Sequence, residues 1–400
     1  MNNHYDVIIV GGGMVGASLA LALKQSDLKI ALIEAFSVKL DQQPSYDDRG
    51  IALSYGSQRI FETMGLWSKL AAHSTTISDI HISDRGHFGA TRLSAKQEGV
   101  PALGQVILAR AMGQVFNQAM LEQQNLDLIC PANVTELEQT EQHVIISLSD
   151  GQQLSANLIV AADGANSTIR RLLNLAVTEN DYQQVAITAN ISTERPHLGK
   201  AFERFSENGP VALLPMSDNR SSLIWTVNTG DETELLKLSD QDFLDRLQAH
   251  FGYRLGKLTQ VGQRGSFPLK MTQTQQPVQQ RIVFIGNAAH NLHPIAGQGF
   301  NLGLRDVAVL ADKLCSTYAD CGDAELLHDY QKWQQGDQDT VIKTTDLLVN
   351  LFSNDNAFLG HARGAGLALL DILPRTKSHI AQSSMGLANK QPRLARGIDL

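Results

Sequence analysis

Three groups of residues have types and spacings that could do chemistry. The first is Gly11, Gly13 and Gly16, a G-x-G-x-x-G spacing between the apolar run Val7 to Val10 and an Ala/Leu-rich stretch, with Glu34 following 18 residues beyond the last glycine. Gly11 permits a tight turn, Gly13 lets the backbone approach a pyrophosphate, and Gly16 lets a helix pack closely on a strand. Free N–H groups at the helix start then face the phosphates. Glu34 is placed to accept hydrogen bonds from the hydroxyls of an adenosine ribose. The pattern is that of an ADP-binding βαβ unit and does not by itself separate NAD from FAD. The second group is Asp163-Gly164, at the end of the apolar run Leu158 to Ala161. Its acid can bond a ligand hydroxyl, hold Arg110, or cap the helix that starts at Thr168. The third is Gly286 to Asn301, GNAAHNLHPIAGQGFN, which follows the apolar run Arg281 to Ile285. His290 and His293 within it are spaced i, i+3, but no Cys or carboxylate cluster completes a ligand set, so a metal site is not expected.

The elements that must position these groups follow from the hydrophobic pattern. Val7 to Val10, Lys29 to Ile33, Leu158 to Ala161 and Arg281 to Ile285 read as buried parallel strands. After Glu34 the chain loosens into a polar loop containing Pro44 and running through DDRGIALS, where Arg49 can clamp a diphosphate bidentately or cap the helix expected over Ser54 to Leu70. A β segment from Ile77 to Leu93 looks like an excursion from the first domain, and a helix is expected from Arg110 to Gln124. Val185 to Thr193, Lys200 to Phe205, Val211 to Met216 and Ser221 to Val227 read as antiparallel strands, with a helix over Ser239 to Phe251. The apolar line Phe202, Leu213, Met216 and Trp225 suits a core, and Phe202, Met216 and Trp225 are also the candidates for a substrate pocket.

Helices are expected from Asn301 to about Tyr318 and from Ala324 to Phe352. From Ala357 to Leu373 a helical face carries Phe358, Ala362, Ala365, Leu369, Ile372 and Leu373. That face is expected to pack on the first domain, with a subunit contact or a membrane surface as the other options; Arg363, Arg375 and Lys377 suit the latter. The polar tail from Gln382 is expected to be loose. The resulting division is a first domain in three parts (1–75, 105–180, 275–345), a β-sheet domain in two (76–104, 181–274), and a C-terminal helical segment, 346–400.

Composition narrows the function classes. Four hundred residues, 43% hydrophobic and 18% charged, suit two globular domains. No apolar stretch approaches the roughly 18 residues of a membrane span. The N-terminus enters a buried strand without a basic leader, so a cytoplasmic location is expected. Three cysteines, Cys130, Cys315 and Cys321, have no metal spacing. A net charge of −8 disfavours nucleic acid as a partner.

Together, GGGMVG with Glu34, Arg49, Asp163-Gly164 and GNAAHxxxPxxGQGxN resemble the single-component FAD-dependent aromatic hydroxylases, over residues 5 to about 320. ISDRGH, AFERF, LPMSD and HPIAGQGFNLGLRD are most similar to the ubiquinone-biosynthesis branch. The resemblance implies an α/β fold: a Rossmann-like FAD domain, a β-sheet substrate domain and C-terminal helices. Tightly bound FAD would be held by Gly11, Gly13, Gly16 and Glu34 at the ADP end. Arg49, Arg110, Asp163, Gly164, Gly286 and Asn287 would lie along the cofactor, and Pro294, Gly297, Gln298, Gly299 and Asn301 at the flavin. Asn287 stands where the wider family has Asp, which removes a charge but keeps a hydrogen-bonding group.

The implied reaction uses NAD(P)H, with NADPH favoured, as a transient reductant and O2 as oxidant. It hydroxylates a polyprenyl-phenol of the 2-octaprenyl-6-methoxyphenol type through a flavin C4a-hydroperoxide. His293, Pro294 and Gly297 would form the catalytic face, with neutral His293 able to accept a phenolic proton. Other ubiquinone-biosynthesis proteins, a second copy of the chain and the inner-membrane surface are candidate partners. The alternatives are a hydroxylase of a soluble aromatic compound, an NAD-dependent dehydrogenase, and a non-catalytic flavin-binding subunit.

Overall fold

The computed structural model describes residues 4–37, 49–316, 319–352 and 357–400, the side chains of Ala296 and of residues 357–359 excepted. The loop containing Pro44, the end of a helix at Tyr318 and the side chain of Phe358 lie outside the described residues.

The chain forms an α/β fold around two large sheets. In the first, five parallel strands run in the order Leu126–Ile129, Ile30–Ile33, His4–Val10, Gln153–Ala161 and Ile282–Phe284, with Val278–Gln279 at the edge. These strands are apolar on both faces because helices cover both; Val7, Ile8, Ile9, Leu158, Ile159 and Val160 have no exposed surface. The strand order reverses at His4–Val10, and ligands of such sheets bind at the carboxyl ends of the strands beside that switch point. All three motif loops leave the sheet at this edge.

The second sheet has nine strands. Its centre is Val177–Thr193, paired antiparallel with Arg220–Asn228 on one side and Gly265–Thr274 on the other. Beyond Arg220–Asn228 follow Val211–Pro215, Lys200–Phe205, Asp79–Asp84 and Ala90–Ser94. Period-two alternation gives this sheet two unlike faces. Leu223, Trp225 and Val227 pack under the helix Asp240–Phe251, while Arg220, Ser222, Ile224 and Thr226 point the other way, toward the first domain. His290–Asn291 pairs with Gly265–Thr274, so the third motif loop is stitched to both sheets.

Several sequence expectations are corrected. Gly50–Ser54 is a strand rather than loop, because it pairs antiparallel with Gly104–Leu108. The helix after it breaks into Tyr55–Thr63 and Trp67–Ala71, where Gly65 takes φ +71° and its N–H closes on the Glu62 carbonyl at 3.0 Å. The tail beyond Gln382 is packed, with Met385, Leu394 and Ala395 buried.

The helix Ala357–Ile372 docks on the second sheet rather than on the first domain, and by the opposite face from the one expected. Gly360 and Gly364 admit the turn of Arg85–Gly89, since a Cβ at either would lie 2.3 Å from His87 Nε2 or 2.4 Å from the Phe88 carbonyl oxygen. Arg363 meets Asp84 at 3.1 Å with both side chains buried. Ala362, Ala365, Leu369, Ile372 and Leu373 face outward. No helix among the described residues is long and apolar enough to cross a membrane.

Candidate active site: a cofactor cradle between two unlike cavities

The first motif folds as its glycines demand. Gly11 has φ +105°, and a Cβ there would sit 2.5 Å from the Ala162 carbonyl oxygen; one at Gly16 would sit 1.9 Å from the Gly11 carbonyl oxygen. Both are close-approach positions that only glycine fills. Gly13, at the start of the helix Met14–Ala22, has open space in the direction of its missing Cβ, as does Gly164. Glu34 accepts from the Gly12 N–H at 2.7 Å and the Phe36 N–H at 2.9 Å, which fixes the carboxylate over the loop.

Asp163 caps the helix Thr168–Leu172 with one oxygen, accepting from the N–H groups of Thr168 at 2.7 Å and Ile169 at 3.2 Å. Its other oxygen is buried with no partner among the described residues. An orphaned buried carboxylate oxygen beside open space at Gly13 and Gly164 fits a ligand bearing hydroxyl donors and phosphates. The residues present therefore suit FAD.

The third loop is braced from behind by Asp306, a residue that the motif search did not single out. One oxygen accepts from His290 Nε2 at 2.6 Å and the Gly286 N–H at 3.0 Å, the other from Gln334 at 2.7 Å and Gln338 at 2.8 Å. Burial alone raises this carboxyl, but His290 and these hydrogen bonds outweigh it and hold it below the usual range. Asn287 is exposed on the outside of the loop. Among the described residues no three His, Cys, Asp or Glu side chains converge as metal ligands.

Gly297 takes φ +60° and starts the helix Gln298–Leu314, three residues earlier than expected, so Gln298, Gly299 and Asn301 form its first turn. Asn301 is buried and its amide is committed to protein: it accepts from the Ser54 N–H at 2.8 Å and Ser57 Oγ at 2.7 Å and donates to Ala52 O at 2.9 Å and Gly297 O at 2.7 Å. It ties the helix start to the strand Gly50–Ser54.

Two cavities flank this region. The first, about 140 Å³, is walled by apolar side chains such as Ile80, Ile82, Leu93, Leu214 and Ile224, with His293, Pro294, Gly297, Gln298 and Asn301 on its motif side. Among the described residues no Lys or Arg lines it, and the one charged residue that does is Glu203. His293 is buried, and burial pushes its ring down to about 4. Its Nδ1 accepts from the Ile295 N–H at 3.2 Å, so the proton of the neutral ring sits on Nε2, which has no partner among the described residues. That reverses the sequence expectation: Nε2 is a donor, not a base.

Phe202 borders this cavity, but its ring packs on Phe251 at 5.6 Å on the helix side of the sheet. Trp225 and Met216 are corrected as pocket candidates. Trp225 alternates to the helix side, 5.6 Å from Phe243, and Met216 lies in the core beside the cavity without lining it. The second cavity, about 450 Å³, is polar and holds Arg49 and Arg110 together with Arg220 and Arg264, which the sequence reading did not single out.

Comparison with known proteins gives the class first. Residues 4–339 match the FAD binding domain family, and the chain belongs to it. It is an FAD-dependent monooxygenase of the ubiquinone-biosynthesis branch. It is 36% identical over 406 aligned residues to ubiquinone hydroxylase UbiL of Rhodospirillum rubrum, covering 99% of this chain and 93% of that one. It is 30% identical to 3-demethoxyubiquinol 3-hydroxylase of Escherichia coli, covering 96% and 100%. Its fold is that of p-nitrophenol 4-monooxygenase PnpA from Pseudomonas putida, with a TM-score of 0.80 at 16% identity, covering 98% and 100%.

Proposed function

We propose that the chain hydroxylates the ring of a polyprenyl-phenol of the 2-octaprenyl-6-methoxyphenol type in ubiquinone biosynthesis, using NAD(P)H and O2. The observation that carries this reading is the first cavity. An apolar space of about 140 Å³ is close to the ~150 Å³ that accommodates a benzene ring in a protein interior. With Glu203 as its one charged residue and no cation to pair a carboxylate among the described residues, it disfavours a soluble aromatic acid and suits a neutral phenol. The names of the two relatives above agree with a quinone-pathway substrate.

When bound, FAD supplies the activation of O2 by electrons from NAD(P)H and the transfer of one oxygen atom to the ring. The chain's own residues hold and orient. Gly11, Gly13 and Gly16 with the start of Met14–Ala22 would take the pyrophosphate, Glu34 the adenosine ribose, and the orphaned Asp163 oxygen a ribityl hydroxyl. Arg49, Arg110, Gly286 and Asn287 would lie along the cofactor. Pro294 presents a rigid edge without a competing N–H donor, and the positive end of the helix that starts at Gln298 and Gly299 would favour negative charge at the flavin pyrimidine. His293 would donate from Nε2 to the phenol oxygen, turning one ring edge toward the reacting oxygen. The apolar walls exclude water.

The outward stripe Leu369, Ile372 and Leu373 is the face that would meet a bilayer carrying the substrate. One experiment tests the reading: the FAD-loaded protein is mixed with liposomes containing a polyprenyl-phenol, NAD(P)H and O2, then floated and extracted. The expected result is co-flotation and a polyprenyl product bearing one more oxygen. Hydroxylation of soluble aromatic acids instead would overturn it.

A further inference from the structure

The strand Val177–Thr193 keeps antiparallel register with Gly265–Thr274 except at one place. Asp181 faces Lys270 and Gln184 faces Leu269, so Tyr182 and Gln183 are extra residues with no partner opposite. A bulge of this kind turns a side chain out of the ladder. Gln183 takes φ +54°, uncommon for a residue with a side chain, and its N–H is held by Asp181 Oδ1 at 2.8 Å. The side chain so re-aimed is that of Tyr182, whose ring meets the imidazole of His293 edge on face, with centroids 5.3 Å apart and planes at 90°.

The imidazole needs such a neighbour. Among the described residues it makes a single hydrogen bond, Nδ1 accepting from the Ile295 N–H at 3.2 Å, and one bond at one ring atom leaves the ring free to tilt about it. A second ring set perpendicular removes that freedom, because the pair is favourable only while the edge of one stays over the face of the other. Tyr182 is pinned in turn from its far end. Its hydroxyl donates to Asp346 Oδ1 at 2.9 Å, an oxygen that also accepts from Asn180 Nδ2 at 3.0 Å, and the other Asp346 oxygen accepts from Asn350 Nδ2 at 3.1 Å. Burial and the bond to Asp346 push the tyrosine hydroxyl well above its ordinary value, so it stays a donor. Asp346 belongs to the long helix Ala324–Phe352, and Ile295 packs in one apolar cluster with Tyr182, Val349 and Phe352. Both groups that touch the imidazole are therefore referred to the same helix.

We propose that Tyr182 is a positioning residue for His293: anchored by Asp346, it fixes the tilt of the imidazole and so the direction in which Nε2 presents its proton to the phenol oxygen. The inference rests on the role given to His293 above. Tyr182 is not among the described residues that line the apolar cavity, so it acts through the imidazole and not on the substrate. Packing alone would need neither its hydroxyl nor the carboxylate beyond it.

The test uses the FAD-loaded enzyme with 2-geranyl-6-methoxyphenol as substrate and the variants Tyr182→Met, which fills the space without a flat ring, and Tyr182→Phe, which keeps the ring and loses the anchor. Each is made alone and combined with His293→Gln, and each is checked for FAD content and thermal stability. Isotope-labelled histidine reports the ring resonances of His293, assigned by their loss in His293→Gln, and steady-state hydroxylation gives KM and kcat. Tyr182→Met should move the His293 resonances and raise KM for the phenol about fivefold, the worth of one aromatic pair, and Tyr182→Phe should raise it about twofold. In the His293→Gln background neither change should alter KM further, because the group it positions is gone. Effects that multiply in the double variants, or His293 resonances unmoved in Tyr182→Met, overturn the proposal. Should Tyr182→Met fail to fold, Tyr182→Phe supplies both the cycle and the resonances. If the wild-type enzyme leaves the phenol unhydroxylated, the substrate reading falls, and the resonances still decide whether Tyr182 holds His293.

Discussion

The two cavities share a sheet, a crossing strand and the same inward face, yet among the described residues one is apolar with a single carboxylate and the other carries four arginines. The difference arises within two residues of one strand, between Ser222 and Ile224, with Gly50 pressed onto the boundary. The contrast sorts ligands by polarity on one scaffold: an apolar pocket desolvates phosphates at great cost, and a cationic one gives an apolar ring nothing.

The largest expected effect comes from erasing that boundary. Ile224→Asp sets an unpaired charge in the apolar cavity, and hydroxylation should fall at least ~100-fold as the site loses several kcal/mol for a neutral ring. Anaerobic reduction by NAD(P)H should persist, which confirms folding; equal loss of both would mean that the cavities are not separable.

A smaller effect concerns His293. Its ring stays neutral to about pH 4 in the fold but is protonated near 6.5 in the unfolded chain, so the native state loses stability as pH falls from 6.5 toward 4. Burial lowers His81 and His250 in the same direction. His293→Gln should remove about 2 kcal/mol of the stability lost between pH 7 and pH 5, measured by denaturant unfolding. The same variant should raise KM for the phenol. An unchanged acid profile would mean that the ring is hydrated.

The smallest effect should be at Trp225. Trp225→Phe is expected to cost about 1–2 kcal/mol of stability with no change in KM for either ligand, since the ring packs on Phe243 behind the sheet. A shifted KM would return Trp225 to the pocket.

What could be read along the chain was what depends on local backbone demands. Gly11 and Gly16 are dictated by contacts of a strand, turn and helix within a dozen residues, and the spacing of apolar runs located the parallel strands that carry Glu34, Asp163 and Gly286. The loop Gly286–Asn301 was legible as a unit, but the brace beneath it was not. Asp306 sits inside a helix, and its partners come from a later helix and from the loop itself. Gly50–Ser54 was missed as a strand because its partner lies more than fifty residues on.

The sequence by itself carried the glycine spacing and acid of a dinucleotide fingerprint and, through its resemblance to a known family, a flavin-dependent hydroxylase of the quinone branch, because those features are written in short runs with fixed spacing. Tertiary structure alone decided which side of each element is covered. Periodicity gives a helix or strand two faces but does not say which will meet a partner. Trp225 could have faced the phenol, and the stripe ending at Leu373 could have faced the FAD domain. Gly360 and Gly364 let a distant turn approach the other side of that helix, and the alternation of one strand sent Trp225 under a helix and Arg220 into the cationic cavity.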